Sequence, residues 1–283
     1  VTFLFQTGAG ALHGASASPR PLGWHRPESL GRAPHAGHLL ATASDLATLP
    51  PSVLIEGLPE VYDQGTVGSC TAQALSGAVE VLHARGGYPA ERPDRAALYY
   101  RERIAIGLPG EDSGAILADG IAALRRGYEP EREASLSWGP EWTEPAPAPS
   151  PDAPRLVSAE PLAPDVATVC WELASGHPVV VGLSITDGWF ACAGELPEPS
   201  GPSVGGHATV LVGYDLARRA FRLRNSWGRG WGEDGYAWLP FAWLSLPWCG
   251  EAHSLRAVRR AMGAALGEAK TEMLDALEGG LTR

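Results

Sequence analysis

Asp63-Gln64-Gly65-Thr66-Val67-Gly68-Ser69-Cys70 is the stretch on which the reading of the fold turns. It runs from a polar, glycine-containing turn into Cys70–Arg85, where Ala74, Ala78 and Leu82, flanked by Leu75 and Val79, recur at helical spacing until Gly86-Gly87 ends the pattern. The spacing predicts a buried helix whose first residue is a cysteine. A thiol at a helix N-terminus meets the positive end of the helix dipole and unpaired N–H groups, which lower its pKa and favour the reactive thiolate. Those amides, with the Gln64 side chain, also suit the oxyanion formed during acyl transfer.

Two later segments supply groups that such a thiol would need. Val204-Gly205-Gly206-His207-Ala208-Thr209-Val210-Leu211-Val212-Gly213-Tyr214 places a histidine after two glycines at the start of an apolar strand. A ring there can open onto a cleft and act on a thiol as general base and then as acid. Arg224-Asn225-Ser226-Trp227-Gly228 continues to Trp231-Gly232 and Gly235-Tyr236. An imidazole working with a thiolate must be held in one tautomer, and the amide carbonyl of Asn225 can accept its other N–H. Trp227 would cover that bond from water. Taken singly, a cysteine at a helix start is ordinarily an inert core thiol, a histidine ordinarily structural, and a Trp/Gly-rich segment ordinarily hairpin packing. Their joint occurrence in this order, with Gln64 added, outweighs those readings.

Together these segments resemble the papain family of cysteine peptidases. In that family a glutamine precedes the nucleophile by six residues, as Gln64 precedes Cys70, and His207 follows Cys70 by 207 − 70 = 137 residues, within the family's separation of about 130–150. The resemblance spans roughly Leu49 to Val258. It implies an α+β, papain-like two-lobe fold with a helical lobe (about 63–150) carrying Cys70, a β-barrel-like lobe (about 155–258) carrying His207 and Asn225, and a peptide cleft between them. By the same resemblance Cys70 is the nucleophile, His207 its proton partner, Asn225 the orienting residue and Gln64 an oxyanion donor, with Gly68, Ser69, Gly206 and Trp227 in support and no cofactor or metal. The implied reaction is endopeptidase hydrolysis through a thioester. A peptide ligase or transamidase would use the same residues, and a non-catalytic relative would keep only the peptide-binding cleft.

Three departures stand out. Val67 occupies a position where many secreted members carry a disulfide cysteine, and Thr71 replaces the usual aromatic after the nucleophile. The N-terminal arm lacks the helical inhibitory prosegment of lysosomal relatives, so control by that device is not expected.

Length and composition agree with a compact body. The chain has 283 residues, of which 45% are hydrophobic and 19% charged, the balance of a globular protein. A net charge of −10 disfavours nucleic acid and anionic membrane surfaces as main partners. Lys270 is the only lysine, an arginine bias of the kind a GC-rich bacterial genome produces. No apolar run reaches the roughly 20 residues of a membrane span, and Val1–Ser18 lacks the basic start of a secretory signal although Ala15-Ser16-Ala17 resembles a cleavage site. The reading is cytoplasmic, with secretion left open.

Residues 1–48 read as an extended arm, 49–258 as the peptidase domain and 259–283 as an amphipathic helix. The apolar stripe Met262, Leu266, Met273, Leu277 and Leu281 of that helix is expected to dock on the body or on a second copy. Inside the domain, helices are expected at 94–105, 114–126 and 164–175, strands at 179–185, 208–214 and 220–224, and an exposed Pro-rich connection at 144–154. Cys170 reads as a core residue, while Cys192 and Cys249 fall in loops where pairing stays open. Four free thiols are the expectation.

Competing motifs lack their structural context. Gly201-Pro202-Ser203-Val204-Gly205 matches a serine-hydrolase elbow in letters, but a strand rather than a helix follows it. Gly228, Gly230 and Gly232 open no helix and form no nucleotide loop. His13, His25, His35 and His38 have no metal-ligand spacing. Arg218, Arg219, Arg222 and Arg224 read as a solvated hairpin edge.

Overall fold

The computed structural model describes residues 20–30, 46–87, 91–131, 148–245 and 247–259. Most of the N-terminal arm and the expected C-terminal helix lie outside the described residues.

Among the described residues four α-helices form where the sequence supplies apolar spacing and caps. α1 (Cys70–Arg85) begins and ends as the periodicity predicts, and every residue from Cys70 to His83 is buried. Such a helix is core on all sides, which is why small residues fill its first turns. α2 (Arg95–Ala105) and α4 (Val166–Ala174) are each opened by an aspartate, Asp94 accepting from Ala97 N–H and Asp165 from Thr168 N–H, both at 2.9 Å. α3 (Leu117–Arg126) starts three residues later than the spacing suggests. Gly114 has φ +73° and Ile116 is extended, so the chain cannot turn helical before Leu117.

The remaining core is one antiparallel sheet. Its strands are β1 (Ser52–Leu54), β2 (Arg155–Pro161), β3 (Val179–Ile185), β4 (Gly205–Asp215), β5 (Ala220–Arg224), β6 (Tyr236–Pro240) and β7 (Cys249–Arg259). They lie in the order β2-β7-β3-β4-β5-β6, with β1 paired to β4. The path has two ends, so the expected barrel-like lobe is an open sheet. Both faces of its centre are buried: Val180, Ala208, Val210 and Val212 meet the cluster around α1, while Val179, Val181, Leu183 and Leu211 meet a second cluster around α4 and the tryptophans. This two-sided burial explains why β3 and β4 read as continuous apolar runs.

Four strands went unannounced in the sequence. β1 is only three residues long, β2 mixes charge and a proline into a short run, and β6 is five residues ending in proline. β7 hides its character behind buried polar residues that are satisfied in the fold, Ser254 Oγ donating to Glu172 at 2.6 Å and Glu251 accepting four bonds described below. Cys249, expected in a loop, opens this strand.

The helices and the sheet are joined beside Asn225. Gln64 N–H donates to Ser226 carbonyl and Gly228 N–H to Tyr62 carbonyl, each at 2.9 Å, so residues 62–64 pair with 226–228. Tyr62 lies between guanidinium groups, Arg95 of α2 at 4.3 Å and Arg224 of β5 at 4.5 Å from its ring centre. Arg224 therefore belongs to this buried seam and not to a solvated edge.

All four cysteines are unpaired. Thiol titration of denatured, unreduced protein is expected to count four; a count of two would reveal a bridge that this fold does not contain.

Candidate active site

Helix α1 delivers Cys70 to the face of β4. The sulfur is fully buried and accepts a hydrogen bond from Ala208 N–H at 3.4 Å, one residue beyond His207. His207 pairs in register with Leu183 of β3, which fixes the direction of its ring from the sheet centre. Its Nε2 lies 2.7 Å from Asn225 Oδ1, at the end of β5. Because an amide oxygen only accepts, this contact assigns the ring proton to Nε2 and leaves Nδ1 as the basic nitrogen, which has no hydrogen-bond partner.

Aromatic rings seal this pair. Trp227 lies 4.6 Å from the His207 ring centre, Phe190 stacks on Trp227 at 5.7 Å, and Trp189 meets His207 edge-on at 6.0 Å. Trp227 thus covers the His207–Asn225 bond as expected. Trp189 and Phe190, which follow β3, carried no motif and were not anticipated.

Gln64 is reached from Asn225 by a chain of hydrogen bonds. Ser226 N–H donates to Asn225 Oδ1 at 2.8 Å, and Ser226 Oγ donates to Gln64 Oε1 at 2.7 Å. With its oxygen so held, Gln64 turns its Nε2 donor toward Val67 carbonyl at 2.9 Å and Pro21 carbonyl at 3.3 Å. Ser226 was quoted in the sequence motif, but its place between Asn225 and Gln64 needed the three-dimensional pairing. Gly68 N–H is held by both Asp112 oxygens at 3.0 and 3.1 Å, and Asp112 is steadied by Tyr99 Oη–H at 2.6 Å. Ser69 does not cap α1; its hydroxyl accepts from Gln73 Nε2 at 3.2 Å.

The cleft is occupied by the chain itself. Residues 20–26 cross it in extended form, and a Cβ on Gly23 would overlap the Gly68 carbonyl. Ala115 N–H donates to Gly23 carbonyl at 2.6 Å, His25 N–H to Ala115 carbonyl at 2.9 Å, and Trp24 N–H to Gly206 carbonyl at 3.1 Å. The Gly23 amide lies beside the Cys70 sulfur and works against the rise of its pKa. The strap therefore sits over the sulfur as a plug. Trp24 is the main anchor, since burying an aromatic ring removes roughly 150–250 Å² from water, a contribution of roughly 4–6 kcal/mol. No periodic signal marks this segment along the chain, because an extended strap has none.

Burial sets the protonation states here. It pushes the Cys70 thiol up to about 12, opposed by amide bonds from Ala208, Gly23 and Thr71 and reinforced by the nearby Glu102 carboxyl. The dipole effect anticipated from the helix start is outweighed while the strap is in place. Burial likewise lowers His207 to about 4, with the Asn225 bond pulling the other way. Strapped, the pair is a neutral thiol beside a neutral imidazole. The sign follows directly: the depressed imidazole stabilises this arrangement above pH 6.5, and that contribution is lost as pH falls from 6.5 toward 4.

Among the described residues no group of three or more metal-binding side chains is present, and Ser203 is exposed in a loop; His13, His35 and His38 lie outside the described residues.

Known proteins resemble this chain in sequence and fold. A sequence-family model described as Peptidase_C39-like matches residues 138–246, the part holding His207 and Asn225. The crystal structure of xylellain, a cysteine protease from Xylella fastidiosa, superposes with a TM-score of 0.70 at 30% identity, covering 87% of this chain and 100% of that one. An uncharacterized peptidase C1-like protein of Acanthamoeba polyphaga mimivirus is 28% identical over 71% of this chain and 68% of its own length. A cathepsin B-like protein of Giardia intestinalis is 29% identical over 63% of each chain.

Iodoacetamide labelling followed by peptide mapping tests the plug. Cys70 is expected to label slowly in the full chain at pH 7.5 and at least tenfold faster in Trp24→Ala; equal slow rates would show that Trp24 does not hold the strap.

Proposed function

Because the chain belongs to the papain-like cysteine peptidases, we propose that it cuts peptide bonds by acyl transfer at Cys70, with His207 carrying the proton and Asn225 orienting the imidazole. The observation that carries this reading is the His207 ring, bonded through Nε2 to Asn225 and unpartnered at Nδ1, one residue from the amide that holds the Cys70 sulfur.

With the strap displaced, the steps follow from these positions. His207 Nδ1 takes the Cys70 proton, and the thiolate attacks the peptide carbonyl carbon. The resulting oxyanion sits against Gln64 Nε2–H and the Cys70 amide at the start of α1. Collapse breaks the C–N bond, and the imidazolium returns its proton to the leaving amine. Water, deprotonated by His207, then hydrolyses the thioester and restores the thiol. Solvent entry on strap release also removes the burial that holds the thiol up and the imidazole down, so the pair becomes able to exchange its proton near neutral pH.

The test is mass-spectrometric mapping of cleavage in a diverse peptide library, with Cys70→Ala as the blank. Cys70→Ala and His207→Ala are expected to abolish turnover with circular dichroism unchanged, and Asn225→Ala to reduce it less, because it disturbs orientation without removing a reacting group. Gln64→Ala should lower kcat by roughly a hundredfold, the usual cost of a lost oxyanion donor. Full cleavage by Cys70→Ala would overturn the reading, and accumulation of amide-exchanged products in place of hydrolysis would assign the thioester to ligation.

A further inference from the structure

The side chain of Trp24 lies in a slot whose construction is unusual for a merely packed tryptophan. Three neighbouring strands each present a glycine to the indole: Gly182 from β3, Gly206 from β4 and Gly250 from β7. A Cβ on any of them would collide with the ring, those on Gly206 and Gly250 coming within 2.9 and 2.7 Å of indole carbons. At the closed end stands the Glu251 carboxylate. Its Oε2 accepts the indole N–H at 2.8 Å and Leu117 N–H at 3.2 Å, and its Oε1 lies 3.3 Å from both Ala118 N–H and His253 Nε2. Arg26 of the strap covers the outer face, its guanidinium carbon 5.8 Å from the ring centre.

The slot is continuous with the site already described. Gly23 covers the Cys70 sulfur and Trp24 is its neighbour, bonded through its backbone to Gly206 beside His207. Any peptide that places one residue over the sulfur brings an adjacent side chain to this opening. When the strap leaves, Trp24 and Arg26 leave with it, exposing a flat glycine-walled cavity with the Glu251 carboxylate at its base, now short of the indole donor and keeping its contacts to Leu117, Ala118 and His253. Refilling it with an aliphatic side chain would leave that charged acceptor one donor short and away from water, a loss that sites built around a hydrogen bond use to reject analogues.

We propose that this slot is the specificity pocket of the peptidase, selecting a peptide with an aromatic side chain that donates a hydrogen bond to Glu251, tryptophan foremost, next to the residue whose carbonyl is attacked. The inference rests on the catalytic reading above and names its substrate class. Glu251 is the determinant of the choice, and Trp24 is the built-in occupant that peptide must replace. The three glycines set the shape, and the carboxylate separates tryptophan from phenylalanine.

Two measurements on the full chain test it. In the first, N-acetyl-tryptophanamide and N-acetyl-phenylalaninamide are titrated calorimetrically into Trp24→Ala. The indole is expected to bind at least tenfold tighter, and that ratio to fall toward one in Trp24→Ala/Glu251→Gln, which keeps an acceptor for the α3 amides and so protects the fold. Trp24→Ala/Gly182→Ala, which fills the slot without touching Glu251, should bind neither. In the second, the peptide library is digested by Trp24→Ala, with tryptophan expected to be enriched beside the cleaved residue. Arginine or leucine enrichment, or a tryptophan preference that survives Glu251→Gln, overturns the proposal. Tight indole binding without any cleavage supports the slot and sinks the catalytic reading, whereas cleavage without indole binding does the reverse. Failure of both overturns the slot as well.

Discussion

The structure depends on one seam, the line along which the start of α1 meets β4 and the segment after β5. Three backbone contacts define it: Ala208 N–H to the Cys70 sulfur, Gln64 N–H to Ser226 carbonyl and Gly228 N–H to Tyr62 carbonyl. Each joins a group from the helical half to one from the sheet. Moving either side by an ångström would break the Ala208–Cys70 contact that sets the thiol against the strand one residue from His207. The guanidinium groups of Arg95 and Arg224 packed on Tyr62, and the ion pair of Arg95 with Glu131 at 2.6 Å, stiffen this line from behind. They are buried and tightly bonded, so their main effect is to fix geometry, with little net stability to be claimed for the charges themselves.

The seam also decides the electrostatics. A helix start favours a thiolate, yet here burial dominates and the thiol is held protonated. The difference is the strap, which excludes water from a site that would otherwise open to solvent. Both shifts have burial as their largest cause, so each depends on water being kept from the site. Trp24 concentrates the holding force, while Gly23 lets the backbone pass close over Gly68 where any side chain would collide.

Much of this was legible in the sequence. The bounds of α1 and the strands β3 and β5 followed from spacing and glycine placement, and the grouping of Cys70, His207 and Asn225 from motifs that resemble those of the papain family. The elements that escaped share a physical cause, since β7 carries buried Glu251, His253 and Ser254, whose polarity looks like surface until their partners are known. Arg224 looked like an exposed charge for the same reason. The barrel-like expectation gave way to an open sheet because closure depends on which strands meet at the edges, and no local pattern encodes that.

By itself, then, the sequence determined the chemistry on offer: a helix-start thiol, a strand-start imidazole, an amide to orient it and a second amide, Gln64, at the proper distance before the cysteine. Those assignments rest on short-range patterns, which are local properties of a chain. Only the tertiary structure decided what surrounds them. The strap over Cys70, Ser226 between Gln64 and Asn225, and Glu251 beneath Trp24 bring together residues 47, 162 and 227 positions apart in the chain, and a contact between distant segments is fixed by packing of the whole fold rather than by any pattern along it.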